Sequence, residues 1–169
     1  HPLLAYAVVG LGAAALGWGV YSLNGRRTTD PLGAYSFSVN YGTTTTITPS
    51  LAGYDVWTPP AITVTGITTD QPGQNFAGTI NTYTISGTVT DGTHPIPGVT
   101  LIFSHNGATI TTDVDGNYSC VVNYGTTTTV TPSHPGYHGW TPVDRTITAI
   151  AANQPEQDFA GTINTYTIS

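Results

Sequence analysis

The chain has 169 residues, room for about two small domains. Only 7% of them are charged and the net charge is −6, so the cluster of cations that phosphate binding needs is missing; the cations are Arg26, Arg27 and Arg145. The single cysteine, Cys120, excludes an intrachain disulfide, and the lack of Lys excludes a Lys–Asn isopeptide crosslink.

Leu3–Leu23 is 21 residues without a charge, followed by Asn24-Gly25-Arg26-Arg27. Taken alone it is a membrane-span candidate with a basic flank. The positive-inside rule, however, would put the Thr-rich sequence after it in the cytoplasm, where that composition fits poorly. The end of the stretch also aligns with a later segment: VYSLNGRRTTDPLGAYSF (20–37) matches IFSHNGATITTDVDGNYSC (102–120) once one residue is dropped. The match predicts a strand at Val20–Ser22, a hairpin turn at Asn24-Gly25 and a return strand carrying the Arg pair. Only the 14 residues Leu3–Leu16 then remain, short of the roughly 20 that a span needs. Two readings stay open for residues 1–16: a divergent first strand or interaction segment, or a short helical anchor or signal remnant that would touch a membrane through residues 3–16. The chain opens His1-Pro2 without Met, as a processed chain or a fragment would.

From Gly33 onward the chain repeats itself. Residues 33–86 and 116–169 are one segment written twice, 83 residues apart and without a gap, identical at 36 of 54 positions. A repeat of this length means tandem copies of one folding unit. The unit reads as β throughout: Thr82–Thr90, Val99–Ser104, Tyr118–Tyr124 and Thr126–Ser133 are short runs rich in β-branched or aromatic residues. Tyr83, Ile85, Gly87 and Val89 alternate with Thr and Ser, giving one dry and one wet face. Turns fall at Asp91-Gly92, His94-Pro95, Asn106-Gly107, Asp115-Gly116 and Asn123-Tyr124-Gly125. Roughly seven strands in about 80 residues make a two-sheet sandwich. Cys120 takes the place of Phe37 in the other copy, so it is expected as a small buried apolar side chain. The 33 Thr residues suit the wet faces of strands and an extracellular or cell-surface setting.

The opening I-S-G-T-V-T-D-G of Ile85–Gly92, then P-G-V-T at Pro97–Thr100 and T-T-D-x-x-G-N-Y-S at Thr111–Ser119, resembles the carboxypeptidase-regulatory-like domains found in tandem on bacterial secreted and surface proteins. V-T-P-S-x-x-G-Y (Val130–Tyr137) and N-Q-P-x-Q-D-F (Asn153–Phe159) extend the resemblance across Asn81–Ile163, with 33–80 as a partial copy. It implies an all-β chain of two tandem Ig-like or prealbumin-like β-sandwiches. The expected organisation is an apolar segment at 1–16, a first sandwich with a divergent front at 17–80, a complete sandwich at 81–163, and a spare first strand at 164–169. Modules of this family occur in adhesins, fibres and accessory regions of secreted enzymes, so the fold does not choose among those roles.

The recurring aromatics Tyr35/Tyr118, Tyr41/Tyr124, Tyr54/Tyr137, Trp57/Trp140, Phe76/Phe159 and Tyr83/Tyr166 are expected in the core. A rival reading makes Tyr54, Trp57, Tyr137 and Trp140 a glycan-stacking platform. Thr112–Asn117 superficially suggests a Ca²⁺ loop, but an Asp capping a tight turn explains both it and Thr29–Ala34. His94, His105, His134 and His138 are expected in exposed loops, and Asn117-Tyr118-Ser119 fits an N-glycosylation acceptor. No metal, no cofactor and no catalytic constellation is expected, so the chain reads as a non-enzyme.

Asn164–Ser169 repeats Asn81–Ser86, the opening of the complete domain. An unpaired strand seeks another chain. Thr165, Tyr166, Thr167 and Ile168 are therefore the expected assembly strand, adding to the first sandwich of the next copy in an open head-to-tail polymer. The competing reading is a window cut from a longer tandem array. The functional expectation is a structural subunit of an extracellular filament, pilus-like fibre, stalk or adhesin. The alternatives are a carbohydrate-binding accessory module of a secreted enzyme, or a membrane-anchored surface protein.

Overall fold

The computed structural model describes residues 19–22 and 25–169, with side chains from Arg27 onward. The strand-or-helix question for residues 1–16 lies outside the described residues. The chain divides into two compact units, His1–Asn81 and Thr82–Ser169. Every regular element in the described residues is a strand, so no helix among them is long and apolar enough to cross a membrane.

The first unit contains β1 (Gly19–Ser22), β2 (Gly25–Thr28), β3 (Thr43–Ser50), β4 (Val56–Thr58), β5 (Ile62–Ile67) and β6 (Ala77–Thr79). One antiparallel sheet runs β2-β1-β3-β5, and β4 pairs with β6 in a second. β1 and β2 pair from Ser22↔Gly25 to Gly19↔Thr28, with Arg26 and Arg27 on the return strand as the offset alignment predicts. In β3 the two-residue period buries Thr45, Ile47 and Pro49 and leaves Thr44 and Thr48 in solvent. Thr46 Oγ1 meets Thr63 Oγ1 across the ladder at 2.8 Å. The described core is Tyr35, Ile47 and Phe76, lined by half-buried Phe37, Trp57 and Ile62.

The second unit contains β7 (Thr82–Thr90), β8 (Thr100–Phe103), β9 (Ala108–Thr111), β10 (Asn117–Asn123), β11 (Thr128–Ser133), β12 (Tyr137–Thr141), β13 (Arg145–Ile147) and β14 (Phe159–Ile163). They form two four-stranded sheets, β10-β7-β14-β12 and β13-β11-β8-β9, closed over one core. β7 is interior: it runs antiparallel to β10, Thr82↔Asn123 to Thr88↔Asn117, and parallel to β14 at Phe159↔Val89. Ile85, Val89, Val99, Leu101, Phe103 and Val130 are fully buried. Along β10 the alternation turns Tyr118, Cys120 and Val122 inward. Cys120 is buried as expected, and burial pushes its thiol pKa up.

Subtracting 83 lays β11, β12, β13 and β14 on β3, β4, β5 and β6, while β8 and β9 fall on β1 and β2 with a one-residue slip. The order β2-β1-β3-β5 thus repeats β9-β8-β11-β13. The other sheet differs. Among the described residues of the first unit no strand takes the position of β7, and residues 34–40, aligned with β10, form no strand. Their side chains still alternate, with Tyr35 buried, Phe37 and Val39 half-buried, and Ser36, Ser38 and Asn40 exposed. The pattern survives without the ladder because alternation is written in the sequence, whereas strand hydrogen bonds need a neighbour.

Candidate functional site

Each unit carries a Tyr–Trp pair at the same place. The turn at Gly53 sets Tyr54 three residues ahead of Trp57 on β4, and Gly136 does the same for Tyr137 and Trp140 on β12. Ring centroids stand 6.0 Å apart at 37° in the first unit and 6.1 Å apart at 33° in the second. Beneath each indole runs a glycine of the paired strand: a Cβ on Gly78 would lie 2.9 Å from Trp57 Cζ3, and one on Gly161 2.6 Å from Trp140 Cζ3. One indole face is therefore committed to backbone, and Trp57 Nε1 donates to the Tyr54 carbonyl at 3.1 Å. In the second unit His134 adds its ring 5.3 Å from Tyr137 at 72°. All four pair members are half-buried, short of the full burial expected of core residues.

A second frame shared by the two units surrounds the β7 position. Tyr118 Oη donates to the Gln157 carbonyl at 2.5 Å, and Tyr35 Oη to the Gln74 carbonyl at 2.7 Å. Burial pushes the Tyr35 hydroxyl pKa up to about 12 and that of Tyr118 higher still. In the second unit β7 is held along the edge away from β10. Thr84 N donates to Asn153 Oδ1 at 3.0 Å, Ser86 N to the Gln154 carbonyl at 3.0 Å, and Gln154 N to the Thr84 carbonyl at 2.8 Å. The first unit keeps Gln71 and Gln74 at the positions of Gln154 and Gln157, with Asp70 in place of Asn153.

The expected assembly strand lies outside any sheet. Thr165, Tyr166, Thr167 and Ile168 are exposed; Ile168 is 100% exposed, whereas Ile85, its counterpart in β7, is 0%. Two tyrosines expected in the core are corrected by the structure: Tyr41 is 83% exposed and Tyr166 87%. The reason is a missing neighbour. Their counterparts Tyr124 and Tyr83 pack on each other at 6.5 Å, and neither Tyr41 nor Tyr166 has that partner among the described residues.

Asn81 and Asn164 close the units in a way that residue types alone did not announce, although the recurrence of N-T-Y-T-I-S was the available signal. Asn81 N donates to the Gly53 carbonyl, and its side-chain amide reaches Asp55 Oδ2 at 2.6 Å. Asn164 N donates to the Gly136 carbonyl, and its Oδ1 lies 2.6 Å from His138 Nδ1.

Asp113 Oδ1 accepts from Asp115 N and Asn117 N, and Asp30 Oδ1 from Leu32 N and Ala34 N, the turn capping expected of both. The Asn117 N–H, above all, holds the Asp113 carboxyl below the usual carboxylate range. Asn117 is exposed at the start of β10 and turns its side-chain amide toward Asp113. His94, His105 and His138 are exposed, while His134 is half-buried.

Residues 84–160 match the carboxypeptidase regulatory-like domain family. Chitinase ChiA of Flavobacterium johnsoniae is 32% identical over 112 residues, which make up 64% of this chain but 7% of that protein. Among solved structures, the Bacillus anthracis TIE protein is similar at a TM-score of 0.68 and 14% identity, over 95% of this chain and 34% of its own. A Streptococcal ancillary pilin is similar at a TM-score of 0.43 and 14% identity, over 97% of this chain and 63% of its own. The chain thus spans a small part of the chitinase and about a third of the TIE protein. The β7-to-β14 sandwich and the motifs it carries agree with that match, so the second unit of this chain is similar to carboxypeptidase regulatory-like domains.

Proposed function

We propose that the chain is a non-catalytic structural module of a secreted or cell-surface filament, pilus-like fibre, stalk or adhesin, its sandwiches joined head to tail by β-strand addition. The observation that carries this reading is a complementarity. Residues 34–40 of the first unit, the counterparts of β10, keep its inward–outward alternation but lie in no strand among the described residues, and Thr165–Ser169 repeats the first five residues of β7, the strand that pairs with β10, without joining a sheet. Edge strands with free N–H and C=O groups add to one another, and a heterologous contact that does not close grows as an open chain. A structural role is also favoured by how the acids are used, since Asp30, Asp91 and Asp113 all turn a carboxylate oxygen to backbone N–H groups of their own turns.

Sedimentation velocity over a concentration series tests the proposal on the full chain and on a variant lacking residues 165–169. The full chain is expected to form an open-ended series of species, and the shortened one to remain a monomer. Monomers in both samples at every concentration would sink the reading.

A carbohydrate-binding accessory role is the second reading, supported by the chitinase relative and by the half-buried Tyr–Trp pairs. Depletion of the chain from solution by insoluble chitin, lost on Tyr54→Ala with Tyr137→Ala, would favour it over assembly.

A further inference from the structure

We infer that the joint has one register: Thr165–Ser169 of one copy lies antiparallel to Ser36–Asn40 in the first unit of another, with Tyr166 opposite Val39, Thr167 opposite Ser38 and Ile168 opposite Phe37. The inference rests on the strand-addition reading and specifies its acceptor. The register is that of the second unit moved by 83 residues, where Tyr83 faces Val122, Thr84 faces Val121 and Ile85 faces Cys120. The donor sequence T-Y-T-I-S is identical to Thr82–Ser86. On the acceptor, Tyr35, Ser36, Val39 and Asn40 keep the residue types of Tyr118, Ser119, Val122 and Asn123, and Gln71, Gln74, Phe76 and Ala77 keep those of the opposite wall.

Exposure supplies an independent argument. Ile168 is 100% exposed where Ile85 is 0%, and exposed Tyr166 and Tyr41 stand at the positions of the packed pair Tyr83 and Tyr124. One docking event covers these three side chains together, with the tyrosines meeting as a same-face diagonal pair. Along the far edge, Thr167 N meets the Asp70 carboxylate and Ser169 N the Gln71 carbonyl, as Thr84 N and Ser86 N meet Asn153 and Gln154. Phe37 is the inward wall residue that departs from the second unit, and it sits opposite Ile168.

Because Thr84 N and Ser86 N bond away from β10, Thr84↔Val121 is a narrow, non-hydrogen-bonded pair, and Thr167↔Ser38 inherits that geometry. Such a pair brings Cα atoms within disulfide range. The test mixes two full-length single variants, Ser38→Cys and Thr167→Cys, under mild oxidation; Cys120 is buried and stays apart. A disulfide-linked heterodimer is expected, with none from Asn40→Cys mixed with Thr167→Cys. Adding Ile168→Asp to the donor should cut the yield roughly tenfold by placing a charge in the core. Association with crosslinking through Asn40→Cys instead would overturn the register while leaving strand addition standing. A Ser38→Cys/Thr167→Cys double variant that closes only within its own chain would overturn the second copy as occupant. Mixtures that neither associate nor crosslink would remove both the register and the proposal beneath it.

Discussion

The described residues of the two units share a frame and differ in their filling. Tyr118, Phe159 and the Tyr137–Trp140 pair of the second unit reappear as Tyr35, Phe76 and Tyr54–Trp57 in the first, with nearly the same geometry. The apolar filling from the front of the second unit does not reappear among the described residues. Ile85, Val89, Ile96, Val99, Leu101 and Phe103 all come from the front of the second unit, while the described core of the first is Tyr35, Ile47 and Phe76. The repeated two-thirds of the unit supplies the aromatic scaffold together with Val130 and Ile150, which return as Ile47 and Ile67, and in the second unit the front third adds most of the remaining apolar mass.

The harshest way to break that comparison is to remove the same ring from both frames. Phe159→Ala is expected to cost the second unit about 3–5 kcal/mol, because the hole is walled by well-packed neighbours that cannot collapse into it. Phe76→Ala should cost the first unit less, near the low end of that range, because fewer of the described side chains pack around it. Guanidinium unfolding followed by hydrogen exchange, resolved by peptide, reads each unit separately. Equal losses would mean the first core is closed as tightly as the second, and the contrast between frame and filling would fall.

Smaller changes sharpen the shared part. Gly161→Ala and Gly78→Ala each push a methyl onto an indole face, where the approach would be 2.6 Å and 2.9 Å. Overpacking of this kind costs about 1–3 kcal/mol, more at Gly161 where the approach is closer. Both should also shift tryptophan emission as the ring is displaced. Thermal unfolding with fluorescence detection checks the pair together. A tolerated alanine at either position would mean that indole can slide away, and the claim that its face is committed to backbone would fail for that unit.

Much of this was legible in the chain, for identifiable reasons. Strand alternation in Thr43–Ser50 and Asn117–Asn123, the hairpin bearing Arg26 and Arg27, the burial of Cys120 and the capping by Asp30 and Asp113 are local properties, and local sequence sufficed. Tyr41 was not legible. It sits in the same N-Y-G-T-T-T-T context as Tyr124 yet is 83% exposed, because what covers Tyr124 is Tyr83 on a strand distant in sequence. The Trp pairs were misplaced by degree: one face of each indole lies on Gly78 or Gly161 of a neighbouring strand, which no spacing within β4 or β12 reveals. Features set by a neighbouring strand cannot be read from one segment, however often that segment repeats.

The finest probe of the comparison is a single hydroxyl. Thr45 and Thr128 are repeat counterparts on β3 and β11, and both are buried, at 2% and 1% exposure. Thr128 Oγ1 lies 3.1 Å from His105 Nδ1. The alignment puts Leu23 at the place of His105, and Thr45 Oγ1 has no hydrogen-bond partner among the described residues. A buried hydroxyl left without a partner costs about 1–3 kcal/mol, whereas a satisfied one contributes roughly 0.5–1.5 kcal/mol. Valine has nearly the same shape without the polar atom. Thr128→Val should therefore destabilise the second unit by about 1 kcal/mol, while Thr45→Val stabilises the first by a similar amount. Urea unfolding of the two single variants against the parent chain measures both. Opposite signs from one substitution at equivalent positions would mean that the first unit kept the frame residue after losing the partner that justified it. A loss in both units would mean that Thr45 is bonded after all, and the two frames would then be more alike than their front thirds suggest.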